Sequence, residues 1–311
     1  METMAETNRD FRLEKRLRLL NPELHRRFAD TVTALNNGLS KYKRFFPEYT
    51  DHSILHSMNV IGFCNRLIAD RIDALNADEI YILLMSCYLH DAGMGISVKD
   101  YENFSARIDF GDYFETHSRG DIPELIRAFH QEFSGQYIHR YAGLFEIPSP
   151  EHEQAIIRVV RGHRRTDLMD ENVYPAEFRL PNGNTVCLPY LAAMIRLADE
   201  VDVAADRNLI LLYDIRLLTD EYQIMVNKTV QAIRRMEISD SAFTLEVSTE
   251  EGEISALIRK VAEKIQSTLD YCRKVVNNRT PYMITQEKVL IRNQPNFSPE
   301  RTLSDVVSEI K

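Results

Sequence analysis

Residues 88–95 read YLHDAGMG, and this stretch decides the fold because three other short pieces of the chain complement it. It places His90 and Asp91 side by side at the end of an apolar run. The complementary pieces also carry imidazoles or carboxylates: DHSILHSMNV at 51–60, RGHRRTDL at 161–168 and RLADEVD at 196–202. Helices that carry these pieces could bring their polar side chains to one point.

Two imidazoles and two carboxylates in these pieces form a candidate metal set: His56, His90, Asp91 and Asp199. Adjacent residues on a helix point about 100° apart, so His90 and Asp91 can share an ion only where a third direction is open, as at a helix end before Gly93. Nitrogen and oxygen ligands suit octahedral Mn²⁺, Fe²⁺, Co²⁺, Ni²⁺ or Mg²⁺, and the missing thiolates argue against a closed structural zinc site. We therefore expect one divalent metal ion, which could be Mn, Fe, Co, Ni, Mg or Zn.

Asp199 sits within an apolar helix, one step off the face formed by Leu191, Ile195 and Ala198. An isolated carboxylate there would cost several kcal/mol to bury as an ion. A cation partner explains its placement, and the competing partners are the guanidinium groups of Arg196 and Arg207.

Helical periodicity extends outward from these pieces and predicts a mainly α fold. The predicted helices cover 12–39 with a break near Asn21 and Pro22, then 53–70, 76–93, 122–141, 152–161 and 188–203. Asn76 followed by Glu79 has the spacing of a helix-capping pair, and Asp121 followed by Pro123 offers another helix start. The polar stretch from Gly95 to Arg119 is predicted to be a loop over the bundle.

After Arg207 the pattern of apolar residues changes from helical spacing to a mixture of helical spacing and alternation. Alternating residues at 236–239 and 243–248 flank an Asp240-Ser241 turn, which indicates a hairpin. An amphipathic helix over 253–276 and a short strand at 289–291 follow. We expect a helical domain with an N-terminal helical extension over 1–207, a small α+β subdomain over 208–295, and a linker or tail over 296–311.

Composition narrows the class of protein. The formal net charge of the 311 residues is -9, which gives no electrostatic footprint for general nucleic-acid binding. No signal peptide and no apolar run of membrane-spanning length is visible, so we expect a cytoplasmic protein without a membrane partner. The cysteines are dispersed and predict core residues rather than a metal-binding pair: Cys64, Cys87, Cys187 and Cys272.

The order His56, then His90-Asp91, then Asp199 resembles the HD superfamily of metal-dependent phosphohydrolases, over roughly residues 45–207. LHDAGM, AFHQEFSGQYI at 128–138, VVRGHR and AAMIRLADEVDVAADR are similar, more narrowly, to HD domains that precede an Hsp90-like ATPase module. The tail NFSPERTLSDVVSEI is similar to the connector into that module. The resemblance implies an HD-type helical bundle and assigns the four side chains above as metal ligands.

The resemblance also suggests roles around the metal. His163 would steady a phosphate or help to hold a second metal, although GHRR in place of GHH argues against a full two-metal site. Arg164 and Arg165 would instead supply positive charge for phosphate oxygens. His52 and His130 are further candidates for the substrate side of the pocket.

Structural interpretations compete for several of these residues. His52 could simply cap the following helix, and His130 could be a satisfied core histidine. Asp202 could have a purely structural role in which it pairs with Arg207 across the helix. Three other histidines are interpreted as solvent residues: His117, His139 and His152.

Hydrolysis of a nucleotide-type phosphate monoester or diester is the function that this set implies. The cation would activate water, with His90, Asp91, Asp202 and His163 as the catalytic candidates. The alternative is a sensor that binds a metal and a nucleotide, turns over little and controls a downstream ATPase or another partner. A small phosphorylated ligand and a possible homodimer complete the expected partners.

Overall fold

Helix α1 (Arg12–Leu20) and helix α2 (Pro22–Asn36) open the computed structural model, which describes residues 11–36, 54–118, 120–164, 166–204 and 221–294. The break between them falls at Asn21, as predicted, and the Asn21 side chain accepts a hydrogen bond from the Leu24 backbone. Both helices pack on α4 (Ala77–Leu89). The pair therefore forms one wall of the helical bundle.

The N-terminus of α4 has the predicted capping pair. The Asn76 side chain accepts a hydrogen bond from the Glu79 backbone, and the Glu79 side chain accepts one from the Asn76 backbone. The same Glu79 carboxylate also accepts a hydrogen bond from the backbone of Cys187, which caps α9 (Leu188–Glu200). One buried carboxylate thus ties together the starts of two helices.

Three further helices complete the bundle around α4 and α9: α3 (Ile54–Ile68), α7 (Ile122–Tyr141) and α8 (Pro150–Gly162). Asp121 caps α7 as predicted, and α8 packs on both α4 and α9. Between α8 and α9 lies a short antiparallel hairpin of β1 (Phe178–Arg179) and β2 (Thr185–Val186). The resulting fold is the mainly α bundle that the sequence predicts.

The prediction of a loop over 95–119 is wrong for about half of that stretch. It contains α5 (Val98–Ser105) and the short α6 (Tyr113–Thr116). Ser97 caps α5 by accepting a hydrogen bond from the Asp100 backbone. Aromatic side chains from this region pack over α7, including Phe110 against Phe129. Because the composition of this stretch is polar, the sequence did not predict the second, smaller hydrophobic cluster that it forms with α7.

The C-terminal part combines helices and strands: α10 (Glu221–Ala232), β3 (Ile233–Ile238), β4 (Ala242–Val247), α11 (Gly252–Arg279) and β5 (Lys288–Asn293). The predicted hairpin is confirmed, with Met236 opposite Leu245 in an antiparallel pair. Strand β5 adds to β4 in parallel, and α11 forms the crossover between them. α11 also packs on α9, and its buried side chains belong to the main core.

The division into three segments stays a prediction, and the tail at 296–311 lies outside the described residues. Within the described part of the chain, no helix is long and apolar enough to cross a membrane. All four cysteines are buried, as the core interpretation expects.

His152 is buried, so its interpretation as a solvent residue is wrong; His117 and His139 are exposed. The His152 Nε2 atom lies 2.9 Å from the buried Asp78 carboxylate, which also accepts hydrogen bonds from Asn182 and Asn184. Burial alone would raise the pKa of Asp78, but these partners, His152 first, hold it below its ordinary value. The cluster joins α4, α8 and the β1–β2 hairpin.

We expect Asp78→Asn to lower the free energy of unfolding by about 3 kcal/mol at neutral pH, because it breaks a buried pair. Since the folded pKa of Asp78 is depressed, its stabilisation is present above the unfolded value near ~4 and is lost as the pH falls through the folded value. Urea unfolding at several pH values tests this. If the difference in the free energy of unfolding between wild type and Asp78→Asn does not become smaller in acid, the prediction is contradicted.

Candidate metal centre

Helix ends bring most of the predicted ligands to one place. His90 and His163 are the C-cap residues of α4 and α8, and Asp199 lies next to the last residue of α9. His56 lies in the first turn of α3. His130 comes from within α7, directly after a kink at Phe129 (φ −121°, ψ 19°).

The first group that could hold a metal ion consists of His56, His90 and Asp199. The His56 Nε2 atom lies 3.1 Å from His90 Nε2 and 3.2 Å from Asp199 Oδ1. His56 and His90 are almost fully buried, while the Asp199 side chain is 15% exposed. Asp199 therefore marks the most open side of this group.

The second group consists of Asp91, His130 and His163, all buried. The Nε2 atoms of His130 and His163 lie 2.9 Å apart, and Asp91 Oδ1 lies 3.4 Å from His130 Nε2. The other Asp91 oxygen, Oδ2, lies 3.3 Å from His90 Nε2. Asp91 thus faces both groups, one oxygen to each.

The ring orientations of these histidines follow one rule. The Nδ1 atoms of three rings lie within hydrogen-bond distance of the carbonyl three residues earlier: His90 on Cys87, His130 on Arg127 and His163 on Val160. A carbonyl oxygen can only accept, so each Nδ1 carries the proton and the Nε2 lone pair of a neutral ring points into the centre. Converging lone pairs and carboxylates repel one another unless a cation lies among them.

The charges of the centre agree with this arrangement. Burial would raise the pKa of Asp199, but the adjacent imidazoles, His56 first, hold it well below its ordinary value. Burial lowers the pKa of His163, and the neighbouring His90 and His130 lower it further. An ionised carboxylate and a neutral imidazole are the forms that bind divalent metals.

Gly93 allows the turn after His90 to approach α7 closely. A Cβ atom at Gly93 would lie 2.4 Å from the His130 carbonyl oxygen and 2.6 Å from the Ser134 nitrogen. The Ser134 hydroxyl donates to the His90 carbonyl and accepts from the Gly93 backbone. This contact sets the distance between the first group and His130.

Asp202 lies behind His56 rather than among the ligands. Its Oδ2 atom is 2.6 Å from His56 Nδ1, and Asn59 donates to its Oδ1 at 3.3 Å. A carboxylate in this position fixes the ring and raises the basicity of the other nitrogen. The catalytic role of Asp202 stays a prediction, and Arg207, its alternative partner, lies outside the described residues.

The structure places the remaining predicted residues as follows. His130, expected on the substrate side or in the core, faces His163 within the second group. Arg164 is half-buried, and its charge opposes the burial that raises the pKa of Glu200. His52 and Arg165 lie outside the described residues. The sequence predicts one cation, whereas the described residues form two groups that could each hold one.

Sequence reasoning missed two residues that support the centre. Asn59 stands three residues after His56, a spacing that puts both on one helix face and could have revealed it. Ser134 offered no comparable signal, because its partners are more than forty residues earlier in the chain.

Comparison with known proteins gives one positive finding. The model of the family described as HD-CE matches residues 46–282, a range that includes every member of both groups. No curated protein and no solved structure matches the chain.

We expect Gly93→Ala to lower the free energy of unfolding by about 2 kcal/mol, because the new methyl group would press on α7 backbone atoms. Thermal and urea unfolding measure the effect. The matched control is Gly143→Ala, where a Cβ atom meets nothing within 4 Å. Equal stability of the two variants would contradict the close-packing argument.

We expect Asp202→Asn to weaken binding of one cation about 10- to 100-fold, because His56 loses the carboxylate that orients it. Titration calorimetry with Mn²⁺ measures the affinity. Asp73→Asn provides a control at an exposed carboxylate, with 75% of its side chain accessible. Unchanged Mn²⁺ affinity in Asp202→Asn would show that this contact does not tune the centre.

Proposed function

Because the chain belongs to the HD-CE family, we propose that it is a metal-dependent phosphohydrolase that cleaves a nucleotide-type phosphate ester. One observation carries the proposal: buried imidazole lone pairs and carboxylate oxygens converge in two adjacent groups that share Asp91. Such a set favours divalent cations with open coordination positions.

The residues fit a pair of cations by their chemistry. His56, His90 and Asp199 would hold the first, His130 and His163 the second, and Asp91 would contact both. When bound, divalent cations supply Lewis acidity, which acidifies water and polarises a phosphoryl oxygen. The second group does not need a histidine at position 164, because His130 and His163 already contribute two imidazoles.

The protein side chains would divide the remaining tasks. The partial exposure of Asp199 suggests that a phosphate approaches from that side of the centre. Asp91, whose two oxygens face the two groups, would help to hold both cations, and an oxygen not taken up by a cation could accept a proton from water. Arg164, next to His163 in the sequence, would add positive charge for phosphate oxygens, and Arg165 and His52 stay candidates for binding the substrate.

A sensor is the second candidate function, and one observation favours it. Helix α9, which carries Asp199, contacts α11 of the C-terminal part, and Lys264 pairs with Glu200 at 2.8 Å. A change at the metal centre could therefore reach a region outside it. In this alternative the chain binds a nucleotide with little turnover and acts on a downstream partner, such as the Hsp90-like ATPase that the sequence resemblance suggests.

We expect the wild-type protein to bind two divalent cations and to hydrolyse at least one nucleotide, giving inorganic phosphate from a monoester or a new monoester from a diester. Elemental analysis after metal loading counts the cations. Chromatography of the nucleotide products together with a phosphate assay, with Mn²⁺, Fe²⁺, Co²⁺, Ni²⁺, Mg²⁺ and Zn²⁺ in turn, measures hydrolysis. Asp91→Asn should lower turnover at least about 100-fold, because it removes charge from the carboxylate shared by both groups.

The exposed histidine variant His117→Ala serves as the control and should behave as wild type. Bound metal with nucleotide affinity but no hydrolysis of any monoester or diester would favour the sensor. Absence of bound metal in the wild-type protein would contradict both candidate functions.

A further inference from the structure

Arg196 holds the segment around His163 by hydrogen bonds to backbone carbonyls. His163 ends α8, and the next residues leave the helix. Arg196 is largely buried and donates from Nε to the Gly162 carbonyl at 2.7 Å and from a terminal nitrogen to the Thr166 carbonyl at 2.5 Å. One guanidinium therefore spans the turn that carries His163.

Arg196 also connects the two metal groups. It lies on α9, three residues before Asp199 of the first group, so the two side chains emerge on the same side of the helix. Its donors reach the backbone beside His163 of the second group. A shift of this guanidinium would therefore move His163 relative to α9.

Tyr271 of α11 closes over this arrangement. Its ring lies 5.0 Å from the Arg196 guanidinium carbon, within cation–π range. Its hydroxyl donates to Asp167 Oδ1 at 2.8 Å and accepts from the Leu168 backbone at 2.6 Å. Tyr271 thus contacts both the turn and the side chain beneath it.

Arg279, two turns further along α11, strengthens the same attachment. It donates to the Leu168 carbonyl and, at 2.8 Å, to the Tyr174 carbonyl. Its side chain is only 8% exposed. Tyr271 and Arg279 together fix residues 167–174 on α11.

We propose that Tyr271 is a positioning residue for the second metal group, through which α11 controls whether His163 can hold a cation. The first group depends on this contact much less, because His56 and His90 come from α3 and α4, whereas the hydrogen bonds of Tyr271 and Arg196 end on residues 162–168, beside His163. The C-terminal part therefore sets the number of cations bound. This inference rests on the proposed two-cation function.

Tyr271→Phe tests the inference, because it removes the hydroxyl and leaves the ring over Arg196. Titration calorimetry with Mn²⁺ gives the two affinities, and electron paramagnetic resonance of the loaded protein reports whether the two Mn²⁺ ions are coupled. Tyr190→Phe is the matched control, since that buried hydroxyl has no hydrogen-bond partner among the described residues. Thermal unfolding of each metal-free variant checks stability.

The expected result is selective. Wild type and Tyr190→Phe bind two Mn²⁺ ions, whereas Tyr271→Phe keeps the first affinity and binds the second ion about tenfold or more weakly, with the coupled signal reduced. If Tyr271→Phe binds the second ion as tightly as wild type does, or if both affinities fall in parallel, the inference is overturned and the proposed function stands. Fewer than two ions in the wild-type protein would overturn the inference together with the two-cation centre.

Discussion

Mutual repulsion among buried lone pairs is the constraint on which this structure depends. The Nε2 atoms of His90, His130 and His163 point into one centre because their Nδ1 protons are bound to carbonyl oxygens of their own helices. The carboxylates of Asp91 and Asp199 add negative charge at the same place. Only positive charge makes such a buried arrangement favourable, so the surrounding fold must hold the ligands together against their own repulsion.

The bundle meets this demand by using helix ends and close backbone contacts. A residue at a helix end is already oriented by the helix, yet the chain beyond it can turn away and leave room for an adjacent ligand, as at His90 and Asp91. Gly93 lets this turn approach α7, and Gly162 plays the same part between α8 and α9, where a Cβ would lie 2.6 Å from that of Ala192. The ligand geometry is therefore a property of helix packing.

Local signals in the sequence predicted most of the helices, whereas the candidate ligands of a single cation, His56, His90, Asp91 and Asp199, came from pieces dispersed along the chain. The Asn76 and Glu79 cap and the His90-Asp91 pair can be identified because each depends on neighbours a few residues away. The Ser97 cap of α5 carried a similar local signal that the polar composition outweighed. His130 and His152 could not be assigned, because each is defined by a partner more than thirty residues away.

The Glu79 carboxylate is a common starting point for the two helices that deliver His90 and Asp199 to the metal centre. Helices α4 and α9 both start at its carboxylate, both contain 13 residues, and both end at the centre. At ~1.5 Å of rise per residue, each delivers its ligand about 20 Å from the shared origin. One inserted residue in either helix would advance that ligand by about 1.5 Å and rotate it by about 100°. Relatives that keep this centre should therefore vary in their loops while the lengths of these two helices stay equal.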